Sequence, residues 1–152
     1  MEREAQRDLA LARDLEGAVE RGELFIEYQP QIALATGRVV GAEALLRWNH
    51  PAQGRVEPGR FLPIAESTGE VLAIGRWVIR SACAEARRWQ SRRRRVRVSV
   101  NLSPVQCRDD RFLDVILQAL KDHRLAPELL DLELDGHVRQ IEGKRFVRVG
   151  RG

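Results

Sequence analysis

Cysteine is scarce in this chain. Its 152 residues hold two, Cys83 and Cys107, at no spacing that builds a metal or redox motif. A reducing compartment follows as the expectation. Long apolar runs are missing as well. None approaches the roughly 20 residues that span a bilayer, and the N-terminus is too charged for a secretory signal. A cytoplasmic location without a membrane partner is therefore expected. Lysine is nearly absent: only Lys121 and Lys144 stand among 26 basic residues, against 22 acidic ones, for a net charge of +4. That skew reflects genome composition more readily than function. Aromatic residues make up 5%, and none interleaves Arg92-Arg93-Arg94-Arg95, the one dense basic run. A base-stacking surface needs such rings. The run therefore reads as a solvated loop between a helix and a strand, and no nucleic-acid partner is expected. His50 has no second His or Cys at metal spacing and reads as a loop histidine.

What is present suits a globular domain with a real core: 43% hydrophobic and 32% charged residues. Residues 3–21 read as a helix, with Leu9, Ala12, Leu15 and Val19 along one stripe and Gly22 as its stop. A strand follows over Leu24–Pro30, ended by the proline. A near-continuous apolar run at 38–48 has the character of a strand covered on both faces. After the loop begun by Asn49-His50-Pro51, Pro58 opens a short helix through Glu66. A longer helix covers about 70–90, its stripe Val71, Ile74, Val78, Ala82, Ala86 and Trp89. Residues 96–102 alternate cleanly as a strand. Ser103-Pro104-Val105-Gln106 has the form of a capping box. Residues 110–123 read as a helix with Leu113, Ile116, Leu117 and Leu120 inward, and Leu129–Asp135 as a last strand. Strands alternating with helices argue for an α/β fold with parallel strands.

Parity along the strands carries the chemistry. Glu43 sits inside the apolar run at 38–48, where an unpaired carboxylate is expensive and demands a proton, a partner or a metal. Arg47 shares its face but lies too far along the strand to pair with it. Arg97, Ser99 and Asn101 share one face of their strand, and Asp131, Glu133 and Asp135 one face of theirs. In an α/β barrel such polar faces look inward, and Glu43, Asn101 and Glu133 each fall near a strand's C-terminal end, where barrel enzymes place their chemistry. Two carboxylates and an amide oxygen make a hard site suited to Mg²⁺ or Mn²⁺. The plainer alternative is three unrelated polar residues, with Glu43 in a structural ion pair.

The segments Tyr28-Gln29-Pro30, Gly41-Ala42-Glu43-Ala44-Leu45-Leu46-Arg47-Trp48, Phe61-Leu62-Pro63-Ile64-Ala65-Glu66, Val100-Asn101-Leu102-Ser103 and Leu132-Glu133-Leu134, in that order, resemble the EAL domain, the cyclic di-GMP phosphodiesterase family. The resemblance runs from about residue 3 to residue 135. It implies a modified (β/α)₈ TIM-type barrel whose first strand runs against the others. It implies metal ligands at Glu43, Asn101 and Glu133, and contacts to cyclic di-GMP from Gln29, Leu45 and Arg47, the arginine near a phosphate. The implied reaction is hydrolysis of one phosphodiester of cyclic di-GMP to linear pGpG, with two metals activating water. Departures are plain. Asp135-Gly136 stands where the family continues with Thr-Glu. The Asp-Asp-Phe-Gly stretch and the Lys-Ile-Asp strand have no counterpart, since Asp109-Asp110 precedes Arg111 at a helix start. A full barrel takes roughly 250 residues, so an incomplete barrel is expected: a connector helix over 1–22, a partial EAL domain over 23–136 and a divergent basic tail over 137–152, left by truncation or frameshift. The expected function is a truncated EAL-domain protein of cyclic di-GMP signalling, without phosphodiesterase activity by itself. The alternatives are an active enzyme whose missing half comes from another chain, and a non-catalytic binding module or gene remnant. Self-association, or a partner chain covering the open sheet edge, is expected, with Lys144–Val149 as a further edge strand.

Overall fold

In the computed structural model, β1 (Leu24–Ile32) and β2 (Val39–His50) form an antiparallel pair that begins the sheet. The structure describes residues 1–134, together with the backbone of 139–141 and 145–147. The sheet runs β1-β2-β4-β5, with β4 (Arg97–Leu102) and β5 (Leu130–Leu134) parallel to β2. This is the expected α/β wall with one reversed first strand, a section of a barrel rather than a closed one. β3 (Gly54–Val56) folds back on the end of β2. Helices α2 (Pro58–Thr68), α3 (Glu70–Trp89), α4 (Pro104–Cys107) and α5 (Phe112–Asp122) lie between β3 and β5.

Alternation decides which face meets the helices. Val98, Val100, Leu102, Leu130 and Leu132 are all buried; α3 packs on β4, and its Val71, Ile74, Val78, Ala82 and Ala86 share one core with them. Tyr28 on β1 also faces α3. Its hydroxyl donates to the Ser81 carbonyl at 3.5 Å, and its ring meets Trp89 edge-on at 5.0 Å. Burial pushes the Tyr28 phenol up to about 12 and the Cys83 thiol of α3 up to about 11. Gly69 joins α2 to α3 with φ +83, a left-handed backbone that glycine adopts at little cost. The capping box forms as expected. Ser103 Oγ accepts from the Val105 N–H at 3.2 Å, and Gln106 Oε1 accepts from the Ser103 N–H at 2.9 Å.

Several boundaries differ from the expectation, each for a tertiary reason. α1 (Glu2–Leu15) stops well before residue 21. The chain turns at Gly17, φ +74, and Arg21 reaches back to the carbonyls of Asp14 and Glu16, the latter at 2.7 Å. The early stop changes which side is covered: Leu11, Leu15 and Ala18 are buried, while Leu9 is 60% exposed. β1 continues past Pro30 to Ile32, because an edge strand tolerates a missing N–H. β2 runs past Trp48 into a hairpin with β3. His50 holds its turn: Nδ1 accepts the N–H groups of Ala52 and Gln53 at 3.0 and 3.1 Å, so Nε2 is the donor to Asp14 Oδ2 at 2.9 Å. On α5, Ile116 and Leu120 are buried, but Leu113 and Leu117 are 39% and 53% exposed. Among the described residues α5 packs chiefly on α3, so its far flank stays uncovered.

Beyond β5, β6 (Arg139–Ile141) and β7 (Arg145–Val147) pair antiparallel in a separate ladder. β7 comes close to β5 while belonging to a ladder separate from its sheet. The rest of the expected edge strand at 144–149, and Asp135, lie outside the described residues. Among the described residues no helix is long and apolar enough to cross a membrane.

Candidate functional site

The face of the sheet turned away from α3 carries the polar residues. The register places Gln29 opposite Glu43 and Glu43 beside Ser99, then Ser99 beside Asp131 and Asn101 beside Glu133. Residues at one register level share a face, so Gln29, Glu43, Asn101 and Glu133 belong to one surface across four strands, with Leu45 and Arg47 further along β2. Glu43 is half-buried rather than enclosed, and Gln29 and Asn101 are exposed. Ser99 on this face is buried, at 3% exposure between its two acidic neighbours.

Glu43 finds an amide. Asn101 Nδ2 donates to Glu43 Oε1 at 3.0 Å. The bond is diagonal, since Glu43 is level with Ser99 and Asn101 lies two residues further up β4. It spends the donor end of Asn101 and leaves Oδ1 as a potential ligand atom. Glu43 is also not at the end of β2, which runs on to His50; it is near the end of the part paired with β4, which stops at Ala44. Past Ala44 the two strands diverge, and a cavity of about 130 Å³ opens towards α2 and α3, walled by Leu62, Val71, Ile74 and Val78.

Arg47 has a partner that sequence reasoning missed. Its Nε donates to Glu27 Oε2 at 3.1 Å, and Glu27 Oε1 accepts from Arg55 at 2.9 Å. The two guanidinium groups, Arg47 first, hold the Glu27 carboxyl below the usual carboxylate range. The signal was available: Glu27 and Gln29 have one parity on β1, so the acid had to share the site's face. At the start of the same face, Arg97 and Asp131 approach to 3.7 Å. Asp109 is elsewhere; its Oδ1 accepts the Arg111 N–H at 3.2 Å at the entry to α5, a turn role. Cys83 is buried in α3 and Cys107 is exposed on α4, so neither joins the cluster.

The structure thus brings Gln29, Glu43, Asn101 and Glu133 onto one face and holds Arg47 on its rim against Glu27. Chemically this is a set of hard oxygen donors beside a guanidinium. Among the described residues, no group of three or more His, Cys, Asp or Glu side chains is placed to hold a metal ion. Any cation here rests on two carboxylates, the amide oxygen of Asn101, and water or substrate oxygens, a set that magnesium accepts.

A family model described as "EAL domain" matches residues 12–145. The chain is 42% identical over 135 residues to a Pseudomonas aeruginosa protein named "Bifunctional diguanylate cyclase/cyclic di-GMP phosphodiesterase MucR", covering 88% of this chain and 20% of that protein. Among solved structures it resembles "PaMucR Phosphodiesterase, c-di-GMP complex" with a TM-score of 0.78 and 40% identity, over 84% of this chain and 52% of that one. It also resembles the FimX EAL domain of Pseudomonas aeruginosa bound to c-di-GMP, with a TM-score of 0.72 and 29% identity, over 82% and 50%. The chain therefore spans about a fifth of that curated relative and about half of those solved domains.

Proposed function

The chain belongs to the EAL domain family, and from that premise we propose that it is the first part of a cyclic di-GMP-handling barrel that does not hydrolyse the dinucleotide on its own. In this reading residues 1–22 are a connector, 23–136 the partial barrel and 137–152 a separate tail. The observation that carries the reading is the Asn101–Glu43 hydrogen bond at 3.0 Å, with Asn101 level with Glu133 on the next strand. It puts oxygen-bearing side chains from three adjacent strands on one face.

Glu43, Asn101 and Glu133 would hold Mg²⁺ or Mn²⁺, and the chemistry of their donor atoms fits such a hard cation. The bound metal would supply charge stabilisation at the phosphate and an activated water. The chain's own groups do the positioning. Asn101 fixes the Glu43 carboxylate. Gln29, opposite Glu43, and Leu45 line the approach of the nucleotide. Arg47, turning from Glu27 to a phosphodiester oxygen, steers the phosphate. What this chain lacks is a counterpart to the family's Asp-Asp-Phe-Gly pair and its catalytic lysine. Three donors on an open face can orient a ligand, but catalysis rests on charge stabilisation completed around the reacting phosphate. The missing groups would come from a longer polypeptide or a second chain working in the cytoplasm.

A second reading, a binding module without catalysis, is supported by the likeness to an EAL domain solved bound to c-di-GMP. Both readings exclude turnover by this chain alone, and one assay tests that shared claim. Incubation of the 152-residue chain with cyclic di-GMP and Mg²⁺ or Mn²⁺ should release no pGpG by liquid chromatography. Release of pGpG at a rate that falls in Glu43→Ala would overturn the reading.

A further inference from the structure

The end of the sheet opposite Asn101 and Glu133 carries two features that the site does not use. One is the β1–β2 connection. Three backbone hydrogen bonds close it: the Ala33 N–H donates to the Arg38 carbonyl at 2.9 Å, and the Thr36 and Gly37 N–H groups donate to the Ala33 carbonyl at 3.2 and 2.8 Å. Such a turn holds its shape, yet Leu34 at its tip is 100% exposed, and Ile32 at its foot 58%. The other feature is the α3–β4 turn. Ser91 and Arg94 exchange backbone hydrogen bonds at 3.0 and 3.3 Å. Gln90 staples the turn, its Nε2 donating to the carbonyls of Ala86 and Val96 and its Oε1 accepting the Val96 N–H at 3.0 Å. Arg92, Arg93, Arg94 and Arg95 are thus displayed from a braced loop, all exposed.

The two features adjoin. Arg38 and Val39 from the first, and Ser91, Arg93 and Arg94 from the second, line one open cleft. Among the described residues no carboxylate lies within ion-pair distance of Arg38 or Arg92–Arg95; the arginines that are paired there are Arg21, Arg47, Arg55, Arg80, Arg88 and Arg97. Five uncompensated guanidinium groups beside an exposed leucine and isoleucine are complementary to one kind of surface. A bilayer with anionic headgroups offers phosphates to the arginines and an acyl boundary to the apolar tip. A nucleic-acid backbone matches only the charges: no aromatic ring stands in the cleft to stack a base, and Leu34 would stay in water.

We propose that the β1–β2 tip and the Arg92–Arg95 turn form a peripheral docking surface for anionic phospholipid membranes, with Leu34 entering the headgroup boundary and the arginines binding lipid phosphates. A peripheral contact needs no spanning segment, so the sequence pattern gave no warning of it. Docking by this end leaves the face around Glu43 and Asn101 opening away from the bilayer. It does not depend on the proposed ligand chemistry.

Flotation of the full chain with unilamellar vesicles tests the surface, because free aggregates sink while vesicle-bound protein rises. Vesicles of phosphatidylcholine mixed with phosphatidylglycerol should carry the protein upward; pure phosphatidylcholine should not. Each arginine near the surface is worth about a fivefold change in partition, so Arg93→Glu with Arg94→Glu should lower it at least about 25-fold. Leu34→Ser, which leaves charge unchanged, should lower it about tenfold. All three positions are exposed, and unchanged far-UV circular dichroism checks that the variants fold. Failure to rise with the anionic vesicles overturns the proposal. So does a Leu34→Ser variant that binds like the parent, which would reduce the contact to charge alone. Duplex DNA that strips the protein from vesicles and holds Leu34→Ser equally well would reassign the surface to nucleic acid.

Discussion

An alanine inside a helix is ordinarily worth about 1 kcal/mol more than a glycine, so Gly75→Ala in α3 would be expected to stabilise this protein. The geometry requires the opposite. A Cβ built on Gly75 would stand 1.8 Å from Gln106 Nε2 and 2.6 Å from its Cδ. The end of a glutamine can usually swing aside, but this one is 5% exposed and its Oε1 holds the Ser103 N–H at 2.9 Å. If Gln106 stays, the overpacking costs about 1–3 kcal/mol. If it leaves, the capping box is lost and the Ser103 N–H goes without its partner, about 2–3 kcal/mol in all. The cheaper of the two routes sets the cost, so against a gain of about 1 kcal/mol from propensity Gly75→Ala should be less stable by up to about 2 kcal/mol. Equilibrium urea unfolding, followed by circular dichroism, measures this, and Gln106→Ala supplies the control. Without the glutamine head group the same glycine replacement should become stabilising by about 1 kcal/mol. A reversal of sign between the two backgrounds is the signature. If Gly75→Ala raises the unfolding midpoint in the parent chain, the contact does not constrain α3 and the reasoning fails. The strain would also enter two residues after Asn101, so the same variant should disturb the site's geometry.

Calorimetric affinity for cyclic di-GMP should fall at least about tenfold in Arg47→Ala, since a charge-assisted bond to phosphate contributes about 1.5–3 kcal/mol; equal affinities would remove Arg47 from the pocket. Stability should decline in acid. Glu23 accepts from Arg21 and from the indole of Trp48, which is completely buried, and the Arg21 hydrogen bond leads in holding its carboxyl below the ordinary 4.5. A depressed folded-state value stabilises the protein above the unfolded value and is lost as pH falls through the folded one, so melting temperature should drop from about pH 4.5 downward, and less steeply in Glu23→Gln. An equal acid dependence in both proteins would show that Glu23 is not responsible. Finally, β1 is the outer strand of the sheet among the described residues, and Leu113 and Leu117 are uncovered. Open edges and apolar flanks drive association; sedimentation at micromolar concentration should show a dimer or larger species, and a cooperatively melting monomer near 17.3 kDa would refute it.

Local patterns were legible without a structure wherever one residue's chemistry dictates its neighbour's place. Alternation in Arg97–Leu102 separated the buried Val98 and Val100 from Asn101, and the same rule put Glu133 on the face of Asn101. The Ser103–Gln106 cap was readable because both of its hydrogen bonds close within four residues. Glu43 was recognisable as out of place in an apolar run, but whether it met an arginine or an amide depended on how far β4 slides along β2, which no local period encodes. The same holds for Arg47 and Glu27, twenty residues apart and joined only by the β1–β2 register. α1 ended early because Arg21 and Gly17 turned the chain back, and His50 folded β2 into a hairpin by binding backbone amides and Asp14. The exposure of Leu113, Leu117 and Leu9 belongs to the same class. Periodicity marks a side as apolar, but whether that side is covered depends on what packs against it, and burial of apolar area is a property of two surfaces rather than one.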